Sequence, residues 1–299
     1  MLEAEFAYNL PKVVQSLRDS REKTHKIRHL GRVRELPSRQ SIEVILEGLF
    51  AVLFPTHYGR TDLTDESIDY FVGNVLSNAL NQLTEEVRRG LYFSKTAPFD
   101  GEGQFLEVAQ SLVVSFAEEL ANIRALIVSD IRAAMSGDPA ATSVSEILLC
   151  YPGVSAAIHY RIAHALYQLG SPLLARLISE IAHSKTGVDI HPGAQIGEGF
   201  FIDHGTGVVI GQTAILGKNI RLYQAVTLGA KRFPMDEDGN LQKGNDRHPI
   251  LEDDVVIYAG ATILGRITIG ARSTIGGNVW LTKSVPSDSN ISQAHSLGH

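Results

Sequence analysis

The residues of this chain best suited to chemistry are three histidines in short polar motifs: VDIHP sets Asp189 two residues before His191, IDHGTG sets Asp203 beside His204, and NDRHP sets Arg247 beside His248. Histidine titrates near neutrality and can take a proton from a hydroxyl. A carboxylate on its second ring nitrogen fixes the tautomer and stabilises the imidazolium that forms. Asp189 with His204 would make such a pair. A single histidine of this kind reads as a surface or structural residue; three such motifs in one stretch read as a site.

Something must hold these motifs in place, and the surrounding pattern says what. Ile190, Ile196, Ile202, Val208, Ala214, Ile220 and Val226 recur six residues apart, and Leu251, Ile257, Ile263, Ile269, Ile275 and Leu281 do the same. Glycine, asparagine or aspartate interrupts nearly every unit, so short strands separated by turns are required. Hexapeptide repeats are the signature of a parallel β-helix, in which the regularly spaced aliphatic residue points into a shared core. Three faces per coil give roughly four coils. From Val226 to Leu251 the chain advances one residue more than four periods, so the polar segment AKRFPMDEDGNLQKGNDRHP, residues 230–249, reads as a loop thrown out of the coil. Trp280, beside the in-phase Leu281, is expected to face outward.

Ten glycines fall in residues 1–186 and seventeen in 187–299, which marks a boundary near Gly187. Upstream the spacing is helical: Phe105, Val108, Leu112, Phe116, Leu120, Ile123, Ile127 and Ile131 recur at three- or four-residue steps, with Glu118, Glu119 and Arg124 between them. Ser143 and Glu146 read as a capping box, Ser171–Pro172 as a second helix start with Gly170 before it, and 41–54 and 65–90 as further helices. Cys150, in the apolar run ILLCYPG, reads as a buried, inert thiol. The segment Arg18–Arg39 holds eight of the 27 basic residues and reads as a solvated helix and loop.

Of the 299 residues 44% are hydrophobic and 20% charged, a composition that excludes wholesale disorder. The net charge of −6 argues against a nucleic-acid partner, whose phosphates need a dominant basic surface. A single cysteine cannot form an intrachain disulfide, and MLEAEFAYNL lacks the basic and apolar regions of a secretion signal. The longest apolar run, VILEGLFAVLF, is too short for a membrane span and carries Glu47. A cytoplasmic protein with no membrane association is expected.

The runs GVDIHPGAQIGEGFFIDHGTGVVIGQTAILGKNIRLYQAVTLGA and GNDRHPILEDDVVIYAGATILG, with DIHP, DHGTG, VTLG and DRHP in that order, resemble serine O-acetyltransferase, a left-handed β-helix enzyme that acetylates L-serine from acetyl-CoA in cysteine biosynthesis. The match spans about residues 138–286, and the helical first half also resembles that family's N-terminal domain. The fold class implied is α+β: a helical domain over 1–186, a left-handed parallel β-helix of hexapeptide repeats over 187–286, and a tail over 287–299.

By position the resemblance implies His204 as general base on the serine hydroxyl and Asp189 as its orienting partner. It implies Arg247 and His248 on the substrate carboxylate, and Asp138 and Asp203 on its ammonium. Asp138 also reads as a plain helix-end turn residue. Gly229, Ala230, Ala259, Gly260 and Gly277 are the candidates to line acetyl-CoA, the co-substrate, with no tightly bound cofactor. Lys231, Arg232 and Lys243 in the loop read as solvated, with CoA phosphates as the alternative contact. Hexapeptide-repeat carbonic anhydrases carry a histidine pair five apart on the repeat; no two of His191, His204 and His248 have that spacing, so no metal is expected. His159 and His164, five apart, share no helix face.

A homotrimer is implied, with pairing of trimers left open. The chain departs from the family in four places, one of them after SVP, where it continues DSNISQAHSLGH in place of a short G-x-P-A-[KR] segment. Its loop is longer and carries Asp236, Glu237 and Asp238; Tyr258 stands at a small-residue position; and the last residue is His299, not the isoleucine that docks many members into cysteine synthase, which counts against that complex.

Overall fold

The computed structural model describes residues 2–24, 28–29, 32–33, 35–91, 102–232, 235, 238–242 and 244–293. Lys26, Arg34, Asp236, Glu237, Lys243 and the last six residues, with His299, lie outside them. Two compact units divide the chain, Met1–Leu36 and Pro37–His299. The first contains α1 (Leu2–Thr24), exposed along residues 9–23, and a short antiparallel pair in which Arg28 faces Val33 and His29 faces Arg32.

The second unit opens with helices α2 (Arg39–Leu53), α3 (Pro55–Tyr58), α4 (Ile68–Leu91), α5 (Glu102–Gly137), α6 (Val144–Cys150), α7 (Pro152–Gln168) and α8 (Pro172–Thr186). The α5 stripe from Leu112 through Phe116, Leu120, Ile123 and Ile127 to Ile131 is buried against the other helices, as its spacing requires, while Glu118, Glu119 and Arg124 face outward. At α6 the Ser143 hydroxyl accepts from the Glu146 amide at 3.1 Å. The Glu146 carboxylate reaches one residue further back than the usual box, to the Thr142 amide at 2.8 Å. Pro152 ends that helix after two turns by disfavouring helical geometry at Tyr151. Cys150 is exposed, contrary to the sequence reading. A helix this short buries one side, taken by Ile147 and Leu148, and turns Leu149 and Cys150 to solvent. Among the described residues no helix is long and apolar enough to cross a membrane.

From Asp189 the chain winds as a left-handed parallel β-helix. Its first face stacks Asp189–Ile190, Val209–Ile210, Thr227–Gly229, Thr262–Leu264 and Trp280–Leu281; its second Gln195–Ile196, Ile215–Leu216, Ile250–Leu251 and Thr268–Ile269; its third Phe201–Ile202, Arg221–Leu222, Val256–Ile257, Thr274–Ile275 and Asn290–Ile291. The coil therefore continues past residue 286: Asn290–Ile291 pairs in parallel with Thr274–Ile275. Trp280 faces outward, 65% exposed.

The register corrects the sequence reading at one point. Ile210 pairs with Leu228 across three six-residue periods, as Leu251 does with Ile269. Ile190 with Ile210, Ile196 with Leu216 and Ile202 with Leu222 each pair across a span two residues wider. The first coil thus holds two extra residues between Ile202 and Val208. Beyond them the inward strand positions are Ile210, Leu216, Leu222 and Leu228, while Val208, Ala214, Ile220 and Val226 fill a second inward position at the corners. All eight are buried, which is why the six-residue period runs on unbroken in the sequence while the register moves by two.

Helix α7 lies across the open end of the first coil. Ala156, Ala157 and Tyr160 join the coil's apolar core, and the Tyr160 hydroxyl donates to the Ala194 carbonyl at 2.7 Å. The Arg161 guanidinium pairs with Asp130 of α5 through two bonds of 3.1 and 3.0 Å and also donates to the carbonyls of Ile196 and Gly197. Asp130 in turn accepts from the Phe200 amide at 2.8 Å. This buried pair ties two helices to the coil, and through them sets where the end of α5 falls.

Candidate active site

The sequence-derived residues other than Asp189 gather at two corners of the coil. The corner between the third and first faces carries Asp203 and His204, and the two-residue insertion is what pushes it out. His204 has φ 59, followed by Gly205 at φ 92 and Gly207 at φ 80. Asn219, Ala225 and Asp254 adopt similar left-handed geometry at other corners, so that backbone state belongs to the coil. The insertion is particular to this corner, where the His204 side chain is 69% exposed with Nδ1 3.7 Å from an Asp203 carboxylate oxygen.

Asp138, just past the end of α5, comes to the same corner. One of its oxygens accepts from the Ala140 amide at 2.8 Å, the turn role read from sequence, and the other from the Tyr151 hydroxyl at 2.5 Å. The Tyr151 bond, then the Ala140 amide, and to a lesser extent His204 and Arg221, hold the Asp138 carboxyl below its usual range. The same bond to Asp138 pushes the Tyr151 phenol up to about 12. Arg221 lies under the end of α5: a Cβ on Gly137 would stand 2.5 Å from its Nη2, so a side chain there would displace the guanidinium. The guanidinium covers the rings of Phe201 at 5.4 Å and Tyr223 at 5.8 Å. Tyr223 stacks on Tyr258 at 5.0 Å and 12°. Asp203, Tyr223 and Tyr258 each follow a third-face strand, so they climb one edge of the solenoid coil by coil. Ala259, Gly260 and Gly277 follow on the same corner.

Arg247 and His248 occupy the corner between the first and second faces, where the long loop returns. The Thr213 hydroxyl accepts from the Arg247 and His248 amides at 2.9 and 3.2 Å, and the Arg247 guanidinium donates to the Gln212 side-chain Oε1 at 2.9 Å. The Thr213 amide donates to His248 Nδ1 at 3.1 Å, and the Thr213 hydroxyl lies 2.9 Å from the same nitrogen. An amide can only donate, so Nδ1 is the acceptor and Nε2 carries the proton of the neutral ring. Burial, then the charges of Arg247 and Arg266, push the His248 pKa down to about 4. His191, whose Nδ1 accepts from the Gly193 amide at 2.9 Å, is likewise lowered to about 4, by burial first. Gly229 and Ala230 lead into the loop from this corner.

Within one chain the first face separates the two groups. Asp189 sits apart from His204 in its contacts: its carboxylate lies with Glu180 and His183 of α8, donor atoms within 4.8 Å of one another. Arg176 donates to Glu180 at 2.7 Å and supplies a cation to that cluster. His159 is buried, its Nδ1 2.7 Å from the Ser155 carbonyl, and His164 turns to the Pro192 carbonyl at 2.8 Å, so each is held separately.

The first corner offers two carboxylates and a ring nitrogen; the second offers a guanidinium and an imidazole N–H. A zwitterion with a hydroxyl fits between such groups, its ammonium on the aspartates and its carboxylate on the arginine. Gly211, Thr213, Tyr151 and Arg221 shape the site without standing out in the sequence. Tyr258 alone carried a signal, as a bulky residue where the repeat has small ones.

Residues 248–283 match the bacterial transferase hexapeptide (six repeats) family. Over 262 residues the chain is 58% identical to a plasmid-encoded serine acetyltransferase of Synechococcus elongatus, spanning 87% of this chain and 82% of that protein. It also resembles the crystal structures of two Entamoeba histolytica serine acetyltransferases, both in complex with cysteine. Isoform 3 has a TM-score of 0.71 at 35% identity over 95% of this chain and 92% of that one; serine acetyltransferase 1 has 0.73 at 34% over 94% and 97%.

Proposed function

The chain belongs to the serine acetyltransferase family, and from that premise we propose that it moves the acetyl group of acetyl-CoA to the hydroxyl of L-serine, with His204 as general base. The observation that carries this reading is the meeting of Asp138, Asp203 and His204 at one inserted corner, drawn from two sides of the helix-to-coil boundary. His204 takes the hydroxyl proton as the serine oxygen attacks the thioester carbonyl. The tetrahedral oxyanion then collapses, the carbon–sulfur bond breaks, and the imidazolium returns its proton to the CoA thiolate. Base assistance of this kind contributes roughly 10²–10⁴-fold.

The aspartates would hold the substrate ammonium, and Arg247 with the Nε2–H of His248 its carboxylate. The carboxylate at hand for His204 in one chain is Asp203; Asp189, on the first-face strand beyond this corner, is the second candidate for orienting it. Asn substitutions separate the two, since an orienting residue lowers kcat and an ammonium ligand raises KM for serine.

Both residue sets divide between the same two corners: Asp138, Asp203 and His204 with Ala259, Gly260 and Gly277 on one, Arg247 and His248 with Gly229 and Ala230 on the other. A cyclic trimer that sets one corner against the next chain's other corner would unite each set, which supports the homotrimer. The test is CoA release with L-serine, L-homoserine and L-threonine, using wild type and His204→Ala. Turnover with L-serine, reduced at least about 10²-fold in the variant, supports the reading; no turnover by folded, CoA-binding wild type refutes it.

A further inference from the structure

Three tyrosines lie along helix α7: Tyr151 at its N-cap, Tyr160 in its middle and Tyr167 in its last turn. The rings of Tyr151 and Tyr167 pack on the helical core, and each oxygen reaches outward to the polar groups of one corner. The Tyr151 hydroxyl donates to an Asp138 carboxylate oxygen at 2.5 Å. At the other end the Tyr167 oxygen accepts from the Gln212 side-chain amide at 3.3 Å, and Gln212 Oε1 accepts from the Arg247 guanidinium at 2.9 Å. A guanidinium can only donate, so it fixes which way the Gln212 amide points, and a phenol oxygen is the acceptor its NH₂ then requires. Gln212 is neutral and aims Arg247 without cancelling the charge that a substrate carboxylate needs. The Tyr167 ring stands edge-on to His191, centroids 5.9 Å apart at 81°.

The helix that carries these hydroxyls is locked to the first coil. Between its ends Tyr160 donates to the Ala194 carbonyl, Arg161 donates to those of Ile196 and Gly197, and His164 Nδ1 lies 2.8 Å from that of Pro192. Its two ends are therefore fixed points. Sixteen residues separate Tyr151 from Tyr167, about 24 Å of helix. The first face of the coil lies between the corners they reach, so the two ends serve two different substrate molecules. In the cyclic trimer proposed above, each α7 aims the ammonium end of one site and the carboxylate end of the next.

We propose that Tyr151 and Tyr167 are positioning residues for the acceptor, Tyr151 acting through Asp138 on its ammonium and Tyr167 acting through Gln212 and Arg247 on its carboxylate. The inference rests on the acetyltransferase reading.

The experiment measures kcat, KM for L-serine, KM for acetyl-CoA and the urea midpoint in wild type, Tyr151→Phe and Tyr167→Phe. Tyr160→Phe is the comparison, because its hydroxyl meets a backbone carbonyl. Tyr151→Phe removes a charge-assisted bond and should raise KM for L-serine roughly tenfold; Tyr167→Phe removes a neutral one and should raise it roughly threefold. Both should leave kcat and KM for acetyl-CoA where they were. Tyr160→Phe should lower the urea midpoint and move neither KM. The route is read from double variants: Tyr151→Phe should add nothing to Asp138→Ala, and Tyr167→Phe nothing to Arg247→Ala. An unchanged KM for L-serine, a rise shared with acetyl-CoA or with Tyr160→Phe, or additive losses in the doubles overturns the positioning role. Calorimetric titration with L-serine alone separates this from a failure of the acetyltransferase reading. Wild type that binds L-serine no more tightly than the two variants refutes the positioning alone; wild type that binds none refutes the acceptor, and this proposal with it.

Discussion

Gly211→Ala should disable the carboxylate end of the substrate site without touching any proposed ligand. A Cβ built at Gly211 stands 1.9 Å from His248 Cδ2, 2.1 Å from Nε2 and 2.6 Å from Cγ. Carbon–carbon contacts settle near 3.5–4.0 Å, so the ring must move by roughly 1.5–2 Å. Such a move breaks both contacts of Nδ1 with Thr213, the amide at 3.1 Å and the hydroxyl at 2.9 Å. Two lost bonds at about 0.5–1.5 kcal/mol each predict about 1–3 kcal/mol of destabilisation.

The displaced Nε2–H loses a bond to a charged carboxylate, about 1.5–3 kcal/mol, which predicts a fall in kcat/KM for L-serine of roughly 10–100-fold. Urea unfolding and steady-state kinetics read the two effects. The double variant Gly211→Ala/His248→Ala is decisive, because the three atoms nearest the added methyl all belong to the ring it removes. Its stability should equal that of His248→Ala alone. Additive losses would show that Gly211 is constrained by something other than the imidazole, and the reasoning would fail.

Stability should fall with pH below neutrality. His159, His191 and His248 are each lowered to about 4, burial being the first cause. Their stabilisation is present above the unfolded value near 6.5 and is lost as pH falls toward the folded value, because the unfolded chain binds more protons there. Guanidinium midpoints at pH 7.5 and 5 should differ, with the difference smaller in His159→Gln. Arg161→Ala leaves Asp130 as an unpaired buried charge and should cost about 3–5 kcal/mol by chemical denaturation. Cys150 should react with a thiol reagent in the folded protein at a rate close to that in denaturant; a thiol released only on unfolding would contradict its exposure.

The aliphatic stripes were legible because burial imposes them directly: the α5 stripe and the hexapeptide series need only one-dimensional spacing to be seen. The register shift was hidden because both inward positions of each repeat accept aliphatic residues, so Val208 could stand in phase with Ile202 in sequence while Ile210 took its place on the strand. Thr213 and Gly211 gave no signal, since what they hold, His248, arrives only after the long loop and meets them because coils stack. Arg247 and His204 read as neighbours in one site; their separation by a whole face of the coil follows from the angle between strands, which no spacing records. Cys150 misled because hydropathy averaged over ILLCYPG ignores that a two-turn helix has only one side to bury.

The two residues inserted before Val208 act like a defect in a crystal that is healed within one lattice row. The strands on either side regain their pairing at once, Ile190 with Ile210 and Ile202 with Leu222, so the disturbance never reaches the layers above. A solenoid therefore tolerates novelty at a corner as a globular core does not, and the same pentapeptide, Asp203 to Gly207, could be grafted between Leu222 and Val226 to raise a second projecting corner one storey higher. Deleting two of its residues should leave a regular, well-packed coil with nothing reactive at that edge.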